Sequence, residues 1–340
     1  MTVGAPAPKF DHLLRLTDDR GTFEHACGDQ PRREHGYCVD DVARVLVVTT
    51  REPEPTADVN RMAGIALRFL GDAQQLGGPC RNRMDVRGDW VDQPSTDDCW
   101  GRCVWALGTA AARSSVKWVR TSALIQFDRA VQVRGSSPRA RAFAVLGAAE
   151  VLAVDAEHRR ARDLITHYAA TLPEDGHDPD WPWPEPRLAY ANAVLAEAMI
   201  AAGVALEAAR LRQRGLELLA WLLGVEMPDG RLSPTPVGGR GPGQTGPAFD
   251  QQAIEVSSIA DACARAARVD PAPGWPAAVQ AAAAWFQGVN DVGEPMWDPA
   301  TGGGYDGLHA DRVNRNQGAE STLAVLSTLQ HAQRFSGLAR

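Results

Sequence analysis

Six times along this chain, a loop carrying acids, amides or aromatics runs into a segment of small apolar residues, mostly Ala, Leu and Val. The junctions lie at 35–44, 97–102, 137–143, 186–193, 250–255 and 316–321. Segments this rich in alanine suit helices packed on both sides, because small side chains let backbones approach. Between them lie stretches with helical period and a solvated stripe of Arg and Glu, at about 56–72, 121–133, 157–171, 206–223 and 275–287. In the last, Ala278, Ala282 and Trp285 recur at helical spacing. The stretch 10–16 supplies a sixth outer partner. Alternating Val/Ile/Thr runs are rare, so little sheet is expected. The pattern reads as inner helix, outer helix, repeated. Each unit needs its neighbours to bury its apolar face. Six inner helices can close into a ring, and the polar residues at their starts would then share one cavity.

Local signals refine this picture. Asp40, Asp97 and Ser137 are placed to cap inner helices. Asp40/Arg44 and Asp98/Arg102 have the i, i+4 spacing of helical ion pairs. The loops at 77–96, 173–186, 227–249 and 290–315 are long for a compact domain and all precede inner helices, so they should crowd one rim.

Composition narrows the class. The even cadence argues for one domain over residues 1–340, with 1–9 a disordered N-terminus. At 44% hydrophobic and 23% charged, the chain is an ordinary globular protein. Its net charge of −7 is spread without a basic stripe, which argues against nucleic-acid binding. The start of the chain lacks an apolar stretch and no run reaches the length of a membrane span, so a cytoplasmic protein with no membrane partner is expected. Cysteines at 27, 38, 80, 99, 103 and 263 form no CxxC pair and read as small buried thiols. Neither a metal nor a cofactor is expected.

The residues expected at the rim combine three chemistries. Asp40, Asp41, Asp98, Glu185, Asp250, Glu255, Asp306 and Glu320 are acids. Tyr37, Trp100, Trp181, Trp183 and Tyr190 are aromatic, and Asn192, Gln251, Gln252, Asn316 and Gln317 carry amides. His35 and Arg102 complete the candidate set. Sugar hydroxyls need bidentate polar partners and sugar C–H faces need flat rings, while two carboxylates flanking a glycosidic bond can act as acid and base. Taken alone, Asp40 and Asp98 read more readily as helix caps paired with Arg44 and Arg102 than as catalytic acids. Glu255 and Glu320 lie inside inner helices, where a carboxylate is costly unless it faces a wet cavity or a partner. No GxSxG, HExxH or GxxxxGK[ST] motif is present. Asp40-Asp41 and Asp97-Asp98 lack the third acid of an Asp-rich magnesium motif, since Arg44 and Gly101 stand in its place.

Taken together, five stretches resemble the (α/α)6-toroid carbohydrate-active proteins known as six-hairpin glycosidases. More narrowly, they resemble an all-helical bacterial family commonly labelled glycosyltransferase or glycosyltransferase-associated. The stretches are Gly36 to Arg44, Asp98 to Arg102, Trp181 to Ala193, Asp250 to Glu255 and Asn316 to Thr322. Pro184 departs from the family pattern, which has an aromatic there, and 114–133 matches nothing in it. The resemblance implies an all-α (α/α)6 toroid acting on an oligosaccharide or glycoside. By position it suggests Asp41 or Asp40 paired with Asp98, with Glu185 or Glu320 as rivals across the cavity. Glycoside hydrolysis is the first expectation. Sugar epimerisation, which on this fold employs histidines for proton transfer, is the second, and two histidines facing each other would favour it. A non-catalytic glycan-binding or glycosyltransferase-associated protein is the third. A nucleotide-sugar transferase would need a doubly wound α/β domain, and this chain lacks the pattern for one.

Overall fold

The inner helices pack side by side until the last meets the first. A computed structural model describes residues 5–172 and 180–336. Among the described residues the helices are α1 (Asp11–Leu16), α2 (Val39–Arg51), α3 (Ala57–Ala73), α4 (Asp98–Arg113), α5 (Lys117–Ala130), α6 (Pro138–Val154), α7 (Arg159–Ala170), α8 (Ala193–Ala205), α9 (Ala209–Glu226), α10 (Ala253–Ala266), α11 (Gly274–Phe286) and α12 (Ala319–Phe335). The even-numbered helices pack in the order α2, α4, α6, α8, α10, α12, and α12 returns to α2. Outside them, α3, α5, α7, α9 and α11 each cover the preceding inner helix, and α1 lies on α12. This is a closed ring of six inner and six outer helices, in one domain.

Inner helices α4 and α6 meet closely because glycines stand on their facing surfaces. Gly108 of α4 and Gly147 of α6 oppose each other, and a Cβ on either would enter the partner backbone, at Gly147 O or Val104 O. Inner α8 (AVLAEAMIAAGVA) is buried on nearly every face, whereas outer α7 buries only Ala161, Leu164, Ile165 and Tyr168.

Several local expectations are corrected. Ser137 does cap α6, accepting from Ala140 N at 3.1 Å. Asp97 is the N-cap residue of α4, but its side chain makes no capping bond. Helix α2 starts one residue before Asp40, so Asp40 and Asp41 sit in its first turn and leave the cap to Cys38. There they still favour the positive end of the helix dipole. Arg44 pairs with Asp41 rather than Asp40, and Arg102 lies nearer Asp40 (2.8 Å) than Asp98 (3.5 Å). Five cysteines are buried as expected and Cys27 is exposed. At the N-terminus, residues 1–4 lie outside the described residues, as does 173–179 of the loop expected at 173–186. In contrast to the expected disorder over 1–9, Ala5 is buried and Lys9 Nζ donates to Pro299 O at 2.6 Å.

Short two-residue strand pairs tie down the loops at the rim: Ala26–Cys27 with Gln30–Pro31, Tyr37–Cys38 with Arg83–Met84, and Gly307–Leu308 with Val313–Asn314. No helix among the described residues is long and apolar enough to cross a membrane.

Candidate functional site

Where the inner helices begin, the ring opens into a cavity of about 370 Å3. Its floor is built on one guanidinium. Arg44 Nη1 contacts Asp41 Oδ1 at 2.7 Å and Nη2 contacts Glu320 Oε2 at 2.9 Å. Both acids lie in first turns of inner helices, α2 and α12, which meet in the closed ring. Because one planar fork holds both carboxylates, their nearest oxygens are no more than about 8 Å apart. Asp41 is buried, whereas the Glu320 side chain is 42% exposed.

The walls add further charge. Asp40 is held by Arg102 at 2.8 Å and by Asn82 Nδ2 at 3.1 Å. Arg102 itself lies over the Phe143 ring, its guanidinium carbon 4.8 Å from the centroid. Asp250 and Gln252 enter from the start of α10, and Asp306 from the loop before α12. Asp306 accepts from Ser321 Oγ (2.6 Å) and Gly318 N (2.9 Å). Glu24, His25, Cys38 and Arg83 close the side nearest the N-terminus, with Arg83 paired to Glu24.

These surroundings set the acids apart. Burial pushes Asp41 up to about 7; Arg44 opposes that, and the like charges of Glu320, Glu24 and Asp40 reinforce it. Burial alone would raise Asp40 too, but Arg102 and Arg44 outweigh it and hold that carboxyl below its ordinary value. Asp306 is raised by burial against the hydrogen bonds from Ser321 and Gly318. One acid is therefore poised to hold a proton near neutrality while a neighbour stays ionised.

Of the residues singled out in the sequence, Asp40, Asp41, Glu320, Arg102, Asp250, Gln252 and Asp306 line this cavity. The others do not. Asp98 lies just outside, accepting from Ser137 Oγ at 2.9 Å and Tyr190 OH at 2.5 Å. Glu185 forms a fork with Arg139 (2.7 and 2.8 Å) and lines a separate groove. His35 stacks edge-on against His25, 4.9 Å between centroids, without lining the cavity. Tyr37 is buried on Phe23 and donates to Asp18. The Trp100 indole points outward to Ala130 O, because its place on α4 faces the outer helix. Trp181 and Trp183 pack against Trp221. Tyr190 is exposed, with Arg139 over its ring. Asn192 is buried against Glu255. Gln251 turns to Asp291, Asn316 accepts from Gly28 N, and Gln317 Oε1 accepts from Thr301. The described lining thus contains no Trp, Tyr or Phe ring, contrary to the expected sugar platforms.

Glu24, His25, Cys38, Arg44, Arg83 and Ser321 line the cavity without having been candidates, and Asn314, expected at the rim, lines it too. Arg44 had the signal, lying four residues from Asp40 in an acid-rich helix start, but read as a helical ion pair. Ligand atoms of Glu24, Cys38 and Asp41 fall within 4.8 Å of one another. As a metal site they fit poorly. Arg83 and Arg44 already pair with the two acids, and burial keeps the Cys38 thiol protonated.

Glu255, the second intrahelical acid, serves the scaffold. It accepts from the backbone N–H groups of Ala191 and Asn192 and from Asn192 Nδ2. Ala191 has φ +43°, a left-handed conformation that costs a non-glycine residue energy. The carboxylate therefore pins the turn that starts α8 and projects Tyr190. Burial and the Glu226 carboxylate push Glu255 up to about 8, against those N–H bonds and Arg139. With its folded pKa above its unfolded one, the folded state binds the extra proton between about pH 4.5 and 8. Its contribution to stability falls as pH rises through that window, by up to about 5 kcal/mol. Urea titrations of wild type and Glu255→Gln across this range should show a shallower fall in the variant. Parallel curves would remove Glu255 from the account.

No protein-family model matches the chain, and no curated protein sequence matches it. Solved structures do. A sugar epimerase from a ruminal bacterium superposes with TM-score 0.72 at 13% identity, covering 96% of this chain and 95% of that one. Cellobiose 2-epimerase from Bacillus thermoamylovorans gives 0.69 at 12%, covering 96% of each. An alpha-amylase from Clostridium perfringens gives 0.61 at 11%, covering 95% of each. The chain has the (α/α)6-toroid fold. At these identities the likeness speaks for architecture, and the reaction must be argued from the cavity.

Proposed function

We propose that this toroid is a carbohydrate-processing enzyme and that its cavity hydrolyses a glycosidic bond. The observation that carries the reading is the Asp41–Arg44–Glu320 arrangement. A buried carboxyl poised near neutrality shares a guanidinium with a solvent-facing carboxylate. Asp41 is the general acid that protonates the leaving oxygen. Glu320 is the partner that activates water or attacks the anomeric carbon. Their separation, at most about 8 Å through the shared guanidinium, does not exceed the span of about 5–9.5 Å that glycosidases use. Asp40, Arg102, Asp250, Gln252 and Asp306 supply hydroxyl-binding groups around them. Without a Trp, Tyr or Phe ring to stack on, the sugar is held mainly by hydrogen bonds.

Isomerisation is the second reading, and one observation favours it. His25 lines the cavity and His309 Nδ1 lies 3.8 Å from Asp250 Oδ1. Against it, His309 is not in the cavity lining, and His35 is on the same side as His25.

Purified protein screened against manno-, gluco- and galacto-oligosaccharides by product chromatography is expected to release shorter sugars. kcat should fall as pH rises past about 7, where Asp41 loses its proton. Rates still climbing above pH 8 would argue against Asp41 as the acid. Loss of turnover in His25→Asn, with products of unchanged mass, would favour isomerisation.

A further inference from the structure

The opposite end of the ring carries a second polar cluster unrelated to the cavity. Arg51, Arg113, Arg265, Arg268 and Arg334 converge there with Glu150, Glu197, Asp261 and His331 around a small opening of about 20 Å3. The inner helices run roughly 20 Å from the cavity to this end. Four of the five arginines lie in last turns, of α2, α4, α10 and α12, where the helix dipole favours cations. That explains their presence. It leaves open how all five are satisfied.

Each of the three acids already accepts from at least one arginine. Arg113 (2.7 Å) and Arg265 (3.2 Å) both bind Glu150, whose pKa burial would raise and these arginines bring down to about 2. Arg265 also takes Glu197 at 2.8 Å. Asp261 accepts from Arg51 at 2.6 Å, Ser327 at 3.1 Å and His331 Nε2 at 2.5 Å. Burial lowers His331 to about 4, so it is neutral at pH 7. Five guanidiniums thus face three carboxylates. Among the described residues, no carboxylate lies within 4.0 Å of Arg268 or Arg334.

Arg334 is nonetheless oriented. Asp261 fixes the Nε2–H tautomer of His331, whose Nδ1 lone pair then accepts from Arg334 Nη1 at 3.4 Å. A buried carboxylate and a neutral imidazole thereby hold one guanidinium at the edge of an opening whose other free edge is Arg268. Both arginines are exposed and reachable from solvent. Partial desolvation of its guanidinium among these neighbours, and repulsion from Arg51, Arg113 and Arg268, bring Arg334 down to about 10, as expected of cations gathered without enough counter-charge.

We propose that this end of the toroid binds one phosphate-type oxyanion between Arg268, Arg334 and Arg113. Planar guanidiniums suit a tetrahedral oxyanion, which accepts paired N–H bonds. The opening is too small to enclose a sugar ring or a whole phosphate, so the oxyanion sits across its mouth, as free phosphate or as the phosphate of a monoester whose remainder stays outside. The site is independent of the reaction assigned to the cavity.

Calorimetric titration with inorganic phosphate and, separately, phenyl phosphate tests this, at fixed ionic strength in chloride. Wild type is expected to bind one equivalent saturably. The Arg268→Gln/Arg334→Gln double variant should bind about tenfold more weakly or worse, having lost two charge-assisted contacts. Both positions are exposed, so melting temperature without phosphate should hold; the single variants serve as a check. Binding of phosphate alone would assign the free ion, and binding of phenyl phosphate a monoester. No saturable heat with either, or equal affinity in the double variant, would overturn the proposal.

Discussion

Asp41→Asn is expected to lower kcat by roughly 10²–10⁴-fold on the saccharide the enzyme cleaves, with KM little changed. The amide keeps the shape and still accepts one bond from Arg44, which retains Glu320 as its ionic partner. What the variant loses is the proton. The residual rate should therefore lose the alkaline fall near pH 7 that wild type shows. Glu320→Gln should fall as far, because the exposed carboxylate is the group that activates water or forms the intermediate. Asp40→Asn should cost less, since that acid is locked to Arg102 and Asn82. Stopped assays on aryl glycosides with good leaving groups separate the roles. Such substrates need little acid help, so they should partly rescue Asp41→Asn and leave Glu320→Gln inactive. Full activity in Asp41→Asn on the natural linkage would end the acid assignment.

Gly147→Val should be the most damaging scaffold substitution. A side chain there has no free volume, since α4 backbone at Val104 and Trp105 lies against the glycine and Gly108 faces it from α4. The helices must separate, and in a closed ring that strain passes to both neighbouring contacts. The expected loss is roughly 3 kcal/mol or more, at the upper end of overpacking costs. Gly224→Ala on outer α9 is the control, since nothing lies near its Cβ position. There alanine should stabilise by up to about 1 kcal/mol through helix propensity. Urea denaturation of the two variants measures the contrast. Equal stabilities would mean that the close approach of α4 and α6 does not hold the ring together.

The ring was legible in the sequence for the reason that makes Gly147 sensitive. Segments such as AVLAEAMIAAGVA have no polar stripe to turn toward water, so they can only be inner helices. Acids in the first turns of such helices were also readable, because position along the chain fixes their direction. Asp40, Asp41 and Glu320 reach the cavity on that logic, and Arg102 comes with α4. Side-chain heading was not readable. Trp100 stands between Cys99 and Gly101 at the right height but on the outward face, and Trp181 and Trp183 find Trp221 instead of solvent. Glu255 sits in the first turn of α10 much as Glu320 does in that of α12, yet it meets backbone N–H groups rather than the cavity. Glu24, His25 and Arg83 arrive through loop pairing around Tyr37–Cys38, which no hydrophobic period encodes.

The proposed hydrolysis can be separated from every rival by one experiment, mass spectrometry of products formed in heavy-oxygen water. Cleavage by Asp41 and Glu320 predicts shorter sugars carrying one heavy oxygen at the new reducing end, and their loss in Asp41→Asn. A product equal in mass to the substrate, or heavy oxygen incorporated as fast by Asp41→Asn as by wild type, would contradict it.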